Sequence, residues 1–303
     1  MNRYTPSRRE FGLIAGTSLV SLAGPVDAKS TTITASEVIK RIQRHVGVPW
    51  QAKTVDTFKA GDPDTPVKGI CTSVMSTMDV LKKAASSGSN LVITHEPTFW
   101  NHMDETTGFD NDPVYIAKQK FIKSNGLVIW RFHDHWHRRE PDGILTGIVS
   151  TLGWGQFEKV DPTASGGNYQ GRQFFTLPDT SLNDLAAAMQ SRLKSRVTRV
   201  VGNPSARVRN VALEPGYSAL APGMKTLERS DVDVLVVGEP REWENVEYVK
   251  DAIACGANKS LIILGHVTSE DPGMEECAKW LKTFISEVPI QWIPAGEPFW
   301  TPT

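Results

Sequence analysis

The sequence predicts an α/β fold: two related sets of strand-helix units, mostly parallel sheets, helices packed outside and a cleft between the halves. Three observations lead there. Helix-like stretches and short apolar runs alternate from about residue 30 onward, the pattern of parallel sheets with crossover helices. Glycines stand where the helical patterns should stop, at Gly88 and Gly126. The segment AASSGSNLVITH at 84–95 is echoed by AIACGANKSLIILGH at 252–266, each reading as helix, glycine, asparagine, apolar strand, histidine. Ligands in such folds sit beyond the carboxyl ends of the strands.

In chain order, Ser36 can cap a helix running through EVIKRIQRHVG, and residues 67–74 read as a strand. DVLKKAASSG is helical up to Gly88, and LVIT is a short buried strand ending at His95. PVYIAKQKFIKSNG reads as a helix stopped by Gly126, and LVIWRFHD as the next strand. Pro97 and Gly143 are turn residues, Gly143 opening a helix, and residues 161–172 form a polar, glycine-rich loop. SLNDLAAAMQSRL is a helix with Ser181 or Asn183 near its cap, followed by strands in VRNVALEPG and VDVLVVGE. Trp100, Trp130, Trp136 and Trp154 suit core packing better than a substrate wall.

Composition narrows the function. The formal net charge is −1 over 303 residues, and no basic stripe marks a nucleic-acid surface. The locally basic run from Arg192 to Arg209 reads as a solvated face. Residues 1–28 read as a signal peptide, with a basic start, an apolar run from Phe11 to Gly24, and small residues near Ala28. Ser7-Arg8-Arg9-Glu10-Phe11-Gly12 has the form of a twin-arginine export signal. The apolar run is too short to span a bilayer, so the expectation is an exported mature chain, 29–303, periplasmic or extracellular and without a membrane span. Cys71, Cys255 and Cys277 show no motif spacing and no disulfide framework.

The chemistry gathers at histidines. FHDHWH at 132–137 holds three of the chain's seven, and on an extended strand His133, His135 and His137 would share one face. His95 and Glu96 follow LVIT directly. His266 follows SLIIL-Gly265, and Glu270 shares its face if a helix begins there. Singly, each histidine could be a structural hydrogen-bonder. Three clusters at strand ends, with carboxylates and without grouped thiols, suit zinc, iron, manganese or nickel rather than a structural zinc site.

THEPTFW at 94–100, HDHWH with PDGILTGIVSTLGW at 133–154, and GHVTSEDPGMEECAKWL at 265–281 resemble the Nif-three-like family of dinuclear metal proteins, some of them named as type-two GTP cyclohydrolase-like. Residues 67–96, VRNVALEPG and VDVLVVGE extend the likeness from about 36 to 285, as two halves at about 36–160 and 170–290. The resemblance implies metal ligands at His95, Glu96, His137, His266 and Glu270, holding two divalent ions, with zinc, iron or manganese foremost. Glu96 stands where the family has histidine and His137 where it has aspartate, so three histidines and two carboxylates are kept. His133 then faces substrate, Glu239 is a general base or holds a ligand, Asp134 orients a ring nitrogen, and His135 has no assigned part. The implied activity is hydrolysis of a C–N or phosphoester bond in a small molecule by a metal-activated hydroxide. The alternative is a non-catalytic metal-binding or metal-delivery protein of the cell envelope. A homo-oligomer is implied as well, a hexamer in the family's common assembly.

Overall fold

β2 (Ile70–Ser73), β3 (Leu91–Thr94) and β4 (Val128–Arg131) are buried at every position, as parallel strands covered on both faces must be. The structure is a computed structural model that describes Met1, residues 33–159 and residues 171–302. The expected export signal therefore lies outside the described residues apart from Met1, as does most of the expected loop at 161–172. Among the described residues no helix is long and apolar enough to cross a membrane.

Ahead of these strands come α1 (Ala35–His45) and β1 (Phe58–Ala60). Thr34 rather than Ser36 caps α1, its hydroxyl accepting from Glu37 N at 3.3 Å. α2 (Met78–Ser86) and α3 (Pro113–Ser124) cross between the parallel strands, capped by Thr77 and Asp112. After β4 come α4 (Asp134–Arg138), α5 (Gly143–Leu152) and β5 (Glu158–Lys159). β6 (Gln173–Ser181), α6 (Leu182–Leu193), β7 (Arg199–Val201), β8 (Arg207–Tyr217), α7 (Leu220–Leu227) and β9 (Val234–Glu239) follow. The chain ends through α8 (Glu247–Ala254), β10 (Ser260–Ile263), α9 (His266–Leu281) and β11 (Ile290–Trp292).

Two sheets result, with orders β1-β4-β3-β2-β11 and β5-β6-β8-β9-β10-β7. Parallel pairs form the centre of each, β11-β2-β3-β4 in one and β8-β9-β10 in the other. Antiparallel strands close the other edges, β1 in the first sheet and β5-β6 and β7 in the second, so both sheets are mixed, and β11 is a parallel edge strand. The level register Thr94↔Arg131 brings His95 beside Phe132 at one strand end. In the other sheet Ile263 pairs with Val237, so β9 and β10 also end side by side. Trp130, Trp136 and Trp154 are buried in the core, as expected, whereas Trp100 is 55% exposed.

α9 contacts β2 and β11 of the first sheet and β8 and β9 of the second, and it crosses α5 at close range. A Cβ at Gly147 would stand 2.3 Å from the Pro272 carbonyl oxygen, so only glycine permits the approach. Gly147→Val should therefore cost about 1–3 kcal/mol by overpacking, read as a lower urea midpoint with an unchanged m-value.

Candidate metal centre

The FHDHWH stretch does not continue as a strand. β4 ends at Arg131, and the chain turns into α4 because a distant carboxylate caps it. Asp56 Oδ1 accepts from His133 N at 2.7 Å and from Asp134 N at 2.9 Å. Its Oδ2 accepts from His135 N at 2.9 Å and pairs with His135 Nδ1 at 2.7 Å. Helical spacing then places His133 and His137 on one face and turns His135 away. The expectation that all three histidines share a face is corrected here. His135 is fully buried, stacks on Trp50 at 3.6 Å, and accepts from Gln51 N through Nε2 at 2.9 Å. Both of its ring nitrogens are committed, so it holds structure rather than metal.

The predicted site residues converge from both sheets. His95 follows β3, and His133 and His137 lie on one face of α4. His266 opens α9 with Glu270 one turn on, as the helical reading of that segment expects. His95 Nε2 and His137 Nε2 are 3.1 Å apart, and the His95 and His133 rings stack at 4.6 Å. His266 Nε2 lies 3.1 Å from Glu270 Oε2 and 3.4 Å from Glu96 Oε1. Glu96 Oε1 is also 3.5 Å from His133 Nε2. Among the described residues two groups of atoms are close enough to hold a cation, His95 with His133 and His137, and His95 with Glu96 and Glu270. The first includes His133, which the sequence placed facing substrate.

Each imidazole is oriented through its other nitrogen. Nδ1 of His95 meets the Phe132 carbonyl at 3.0 Å, and Nδ1 of His137 meets Asp142 Oδ2 at 2.9 Å. Nδ1 of His133 meets Asp134 Oδ1, and Nδ1 of His266 meets Glu239 Oε1, both at 3.0 Å. This is the arrangement that aims Nε2 lone pairs at a metal. With both Nδ1 atoms donating, the neutral rings of His95 and His137 present lone pairs to each other, and a positive charge must sit between them. Burial works to lower the His137 pKa, yet the Asp142 carboxylate outweighs it and the value rises to about 9. Burial likewise opposes charge on His266, and Glu270 and Glu239 overcome it. Burial and the neighbouring imidazoles push His95 well below its ordinary value. His266 Nε2 and Glu270 Oε2 are buried and lie 3.1 Å apart without hydrogen-bond geometry, a pairing that a bound ion would take over. The donor set fits a divalent metal.

Three supports were not legible beforehand. Arg131 is fully buried and donates to the His95 carbonyl at 2.9 Å, with a further nitrogen 3.3 Å from Glu96 Oε2. That contact leaves Oε1 as the atom Glu96 turns to the site. Asp142 both caps α5, through Ile144 N at 2.7 Å, and orients His137. Gly216, at φ +72°, packs where a Cβ would lie 2.3 Å from Glu270 Oε1. Above the cluster lies a cavity of about 450 Å³, bordered by Glu96, His133, His137, His266 and Glu270.

The family model of Duf34/NIF3 (NGG1p interacting factor 3) matches residues 33–295. The chain belongs to this family. A relative, the GTP cyclohydrolase 1 type 2 homolog of Chlamydia pneumoniae, is 28% identical over 250 residues, covering 80% of this chain and 90% of that protein. The homolog of the same name in Deinococcus radiodurans is 26% identical over 216 residues, 70% of this chain and 74% of that one. Staphylococcus aureus protein SA1388 shares the fold with a TM-score of 0.70 at 16% identity, over 89% of this chain and 99% of its own. The Bacillus cereus protein related to NIF3 does so at 0.65 and 14%, over 88% and 99%. The two sheets described above are thus those of NIF3 structures.

In chelator-treated protein the His137–Asp142 pair should make stability fall with rising pH. A raised histidine pKa adds stability that is complete below the ordinary value of 6.5 and is lost as pH passes about 9. Asp142→Asn keeps an oxygen for capping α5 but removes the charge. Its urea-unfolding free energy should be flatter across that window than that of the parent.

Proposed function

We propose that this NIF3-family chain is a dinuclear metal-dependent hydrolase that cuts a C–N or phosphoester bond of a small molecule. The observation that carries the reading is a donor set larger than one ion needs. Nε2 atoms of His95, His133, His137 and His266 converge with Glu96 and Glu270, in two overlapping ligand groups of which His95, with its Nδ1 on the Phe132 carbonyl, can serve only one. Charge supports it. Carboxylates of Glu96, Glu270, Asp134, Asp142 and Glu239 contact the four imidazoles, and Arg131 alone offsets them at Glu96. The four negative charges that remain are what two divalent ions balance. Such a pair, when bound, supplies Lewis acidity and lowers the pKa of water.

The chain's own part is to position and to move protons. His133 borders the cavity with its Nδ1 held by Asp134, so its Nε2 faces a ligand there. Glu239 holds His266 Nδ1 and is half exposed to solvent, which makes it the outlet for a proton taken up at the site. The His266 contact holds its carboxyl below the usual range, keeping it ionised as an acceptor. The GTP cyclohydrolase name of the relatives suggests C–N hydrolysis, and it comes to this chain as a proposal. Export through the twin-arginine route, which carries folded proteins, would allow metal to be loaded beforehand. Metal delivery is the competing reading, and the four locked imidazoles speak for slow release to a chelator rather than ready transfer.

Metal analysis of the mature protein tests both. About two equivalents per chain are expected, with one lost in His95→Ala and one lost in Glu96→Ala. A single equivalent in the parent would overturn the dinuclear reading, and none would remove the metal reading. Fast release to a chelator without turnover of amide, amidine or phosphodiester substrates would favour the carrier.

A further inference from the structure

The cavity wall is rich in carboxylates, and each is already matched. Glu96 faces Arg131, Asp134 faces His133, Glu214 faces Arg172 and Glu270 faces His266. Arg138 is the one lysine or arginine bordering the cavity, and among the described residues its guanidinium has no hydrogen bond or ion pair. Its neighbour shows the contrast. Arg139 turns to the core, 5.4 Å from the Trp136 ring and 5.7 Å from Trp280, and donates to the Pro141 carbonyl at 3.1 Å.

Arg138 follows the candidate ligand His137 directly on α4, the short helix that Asp56 anchors. It is partly buried, so its charge is partly desolvated without a counter-ion to compensate. A guanidinium offers a planar fork of N–H donors that matches carboxylate and phosphate oxygens two at a time. Gln51 borders the same cavity, and its side-chain amide also has no partner among the described residues. The volume of about 450 Å³ suits a small molecule. With the carboxylates of the wall matched, the one guanidinium on it that has no partner among the described residues favours an anion there.

We propose that Arg138 binds a carboxylate or phosphate group of the substrate, away from the bond that is cut, so that the substrates are anionic small molecules reaching from the metal site to α4. Where the cut bond lies rests on the hydrolase reading, whereas the anion site rests on Arg138 and the cavity.

Calorimetric titration of the metal-loaded full chain with methylphosphonate, phosphonoacetate and 3-phosphonopropionate separates the two. Methylphosphonate has a single anionic head for the metal site, and the others add a carboxylate at increasing reach. In the parent, one of the two-headed probes should bind about tenfold or more tighter than methylphosphonate. Arg138→Gln should lose that gain while keeping its metal content, and Arg138→Lys should recover part of it. No gain in the parent, or an equal gain in Arg138→Gln, overturns the proposal. Arg138-dependent binding to a chain that holds no metal would uphold the anion site and sink the hydrolase reading.

Discussion

The Asp56 carboxylate, buried ahead of β1, gathers three backbone N–H groups and one imidazole at the end of β4. A buried carboxylate is costly unless its oxygens are fully used, and these are. In return the five residues of α4 hold a helical turn that too short a segment would not keep by itself. From that turn follow the pairing of His133 with His137, the removal of His135 to Trp50, and the placing of Arg138 on the cavity wall. The cluster also needs α9, which delivers His266 and Glu270 from the other sheet and reaches α5 only because Gly147 and Gly273 carry no side chain.

Around that frame the four imidazoles obey one rule. Each spends Nδ1 on an oxygen, three on carboxylates and one on a backbone carbonyl, and turns Nε2 inward. The result is a pocket whose electrostatics favour positive charge before any ion arrives. A proton on His137 satisfies it in the bare protein, in competition with metal, so metal uptake should release protons. Glu96 and His137, the two positions where the resemblance implies a departure from the family pattern, each have a matching partner. Arg131 takes one oxygen of Glu96, and Asp142 takes Nδ1 of His137.

Much of this was legible in the sequence where local rules suffice. LVIT is a strand because three apolar residues, two of them β-branched, and a threonine run between a glycine turn and a histidine. The helices α3 and α6 carry their own caps, and α3 its stop at Gly126, and His266 shares a face with Glu270 because four residues make about one helical turn. The identities of His95, Glu96, His137, His266 and Glu270 as one cluster came from motif likeness, and the folded chain brings them together.

What the sequence could not reveal depends on residues far apart in the chain. The HxHxH alternation reads equally as strand or helix, and Asp56, 77 positions before His133, decides it. β11 joins the first sheet beside β2 across more than two hundred residues, a pairing no local pattern announces. The partnership of Arg131 with Glu96 and the lone charge of Arg138 are likewise matters of which groups meet. Local propensity and spacing therefore determined most elements and the ligand types, while tertiary contacts decided which face each histidine shows, because a side chain's direction is fixed by the backbone that its distant partners stabilise.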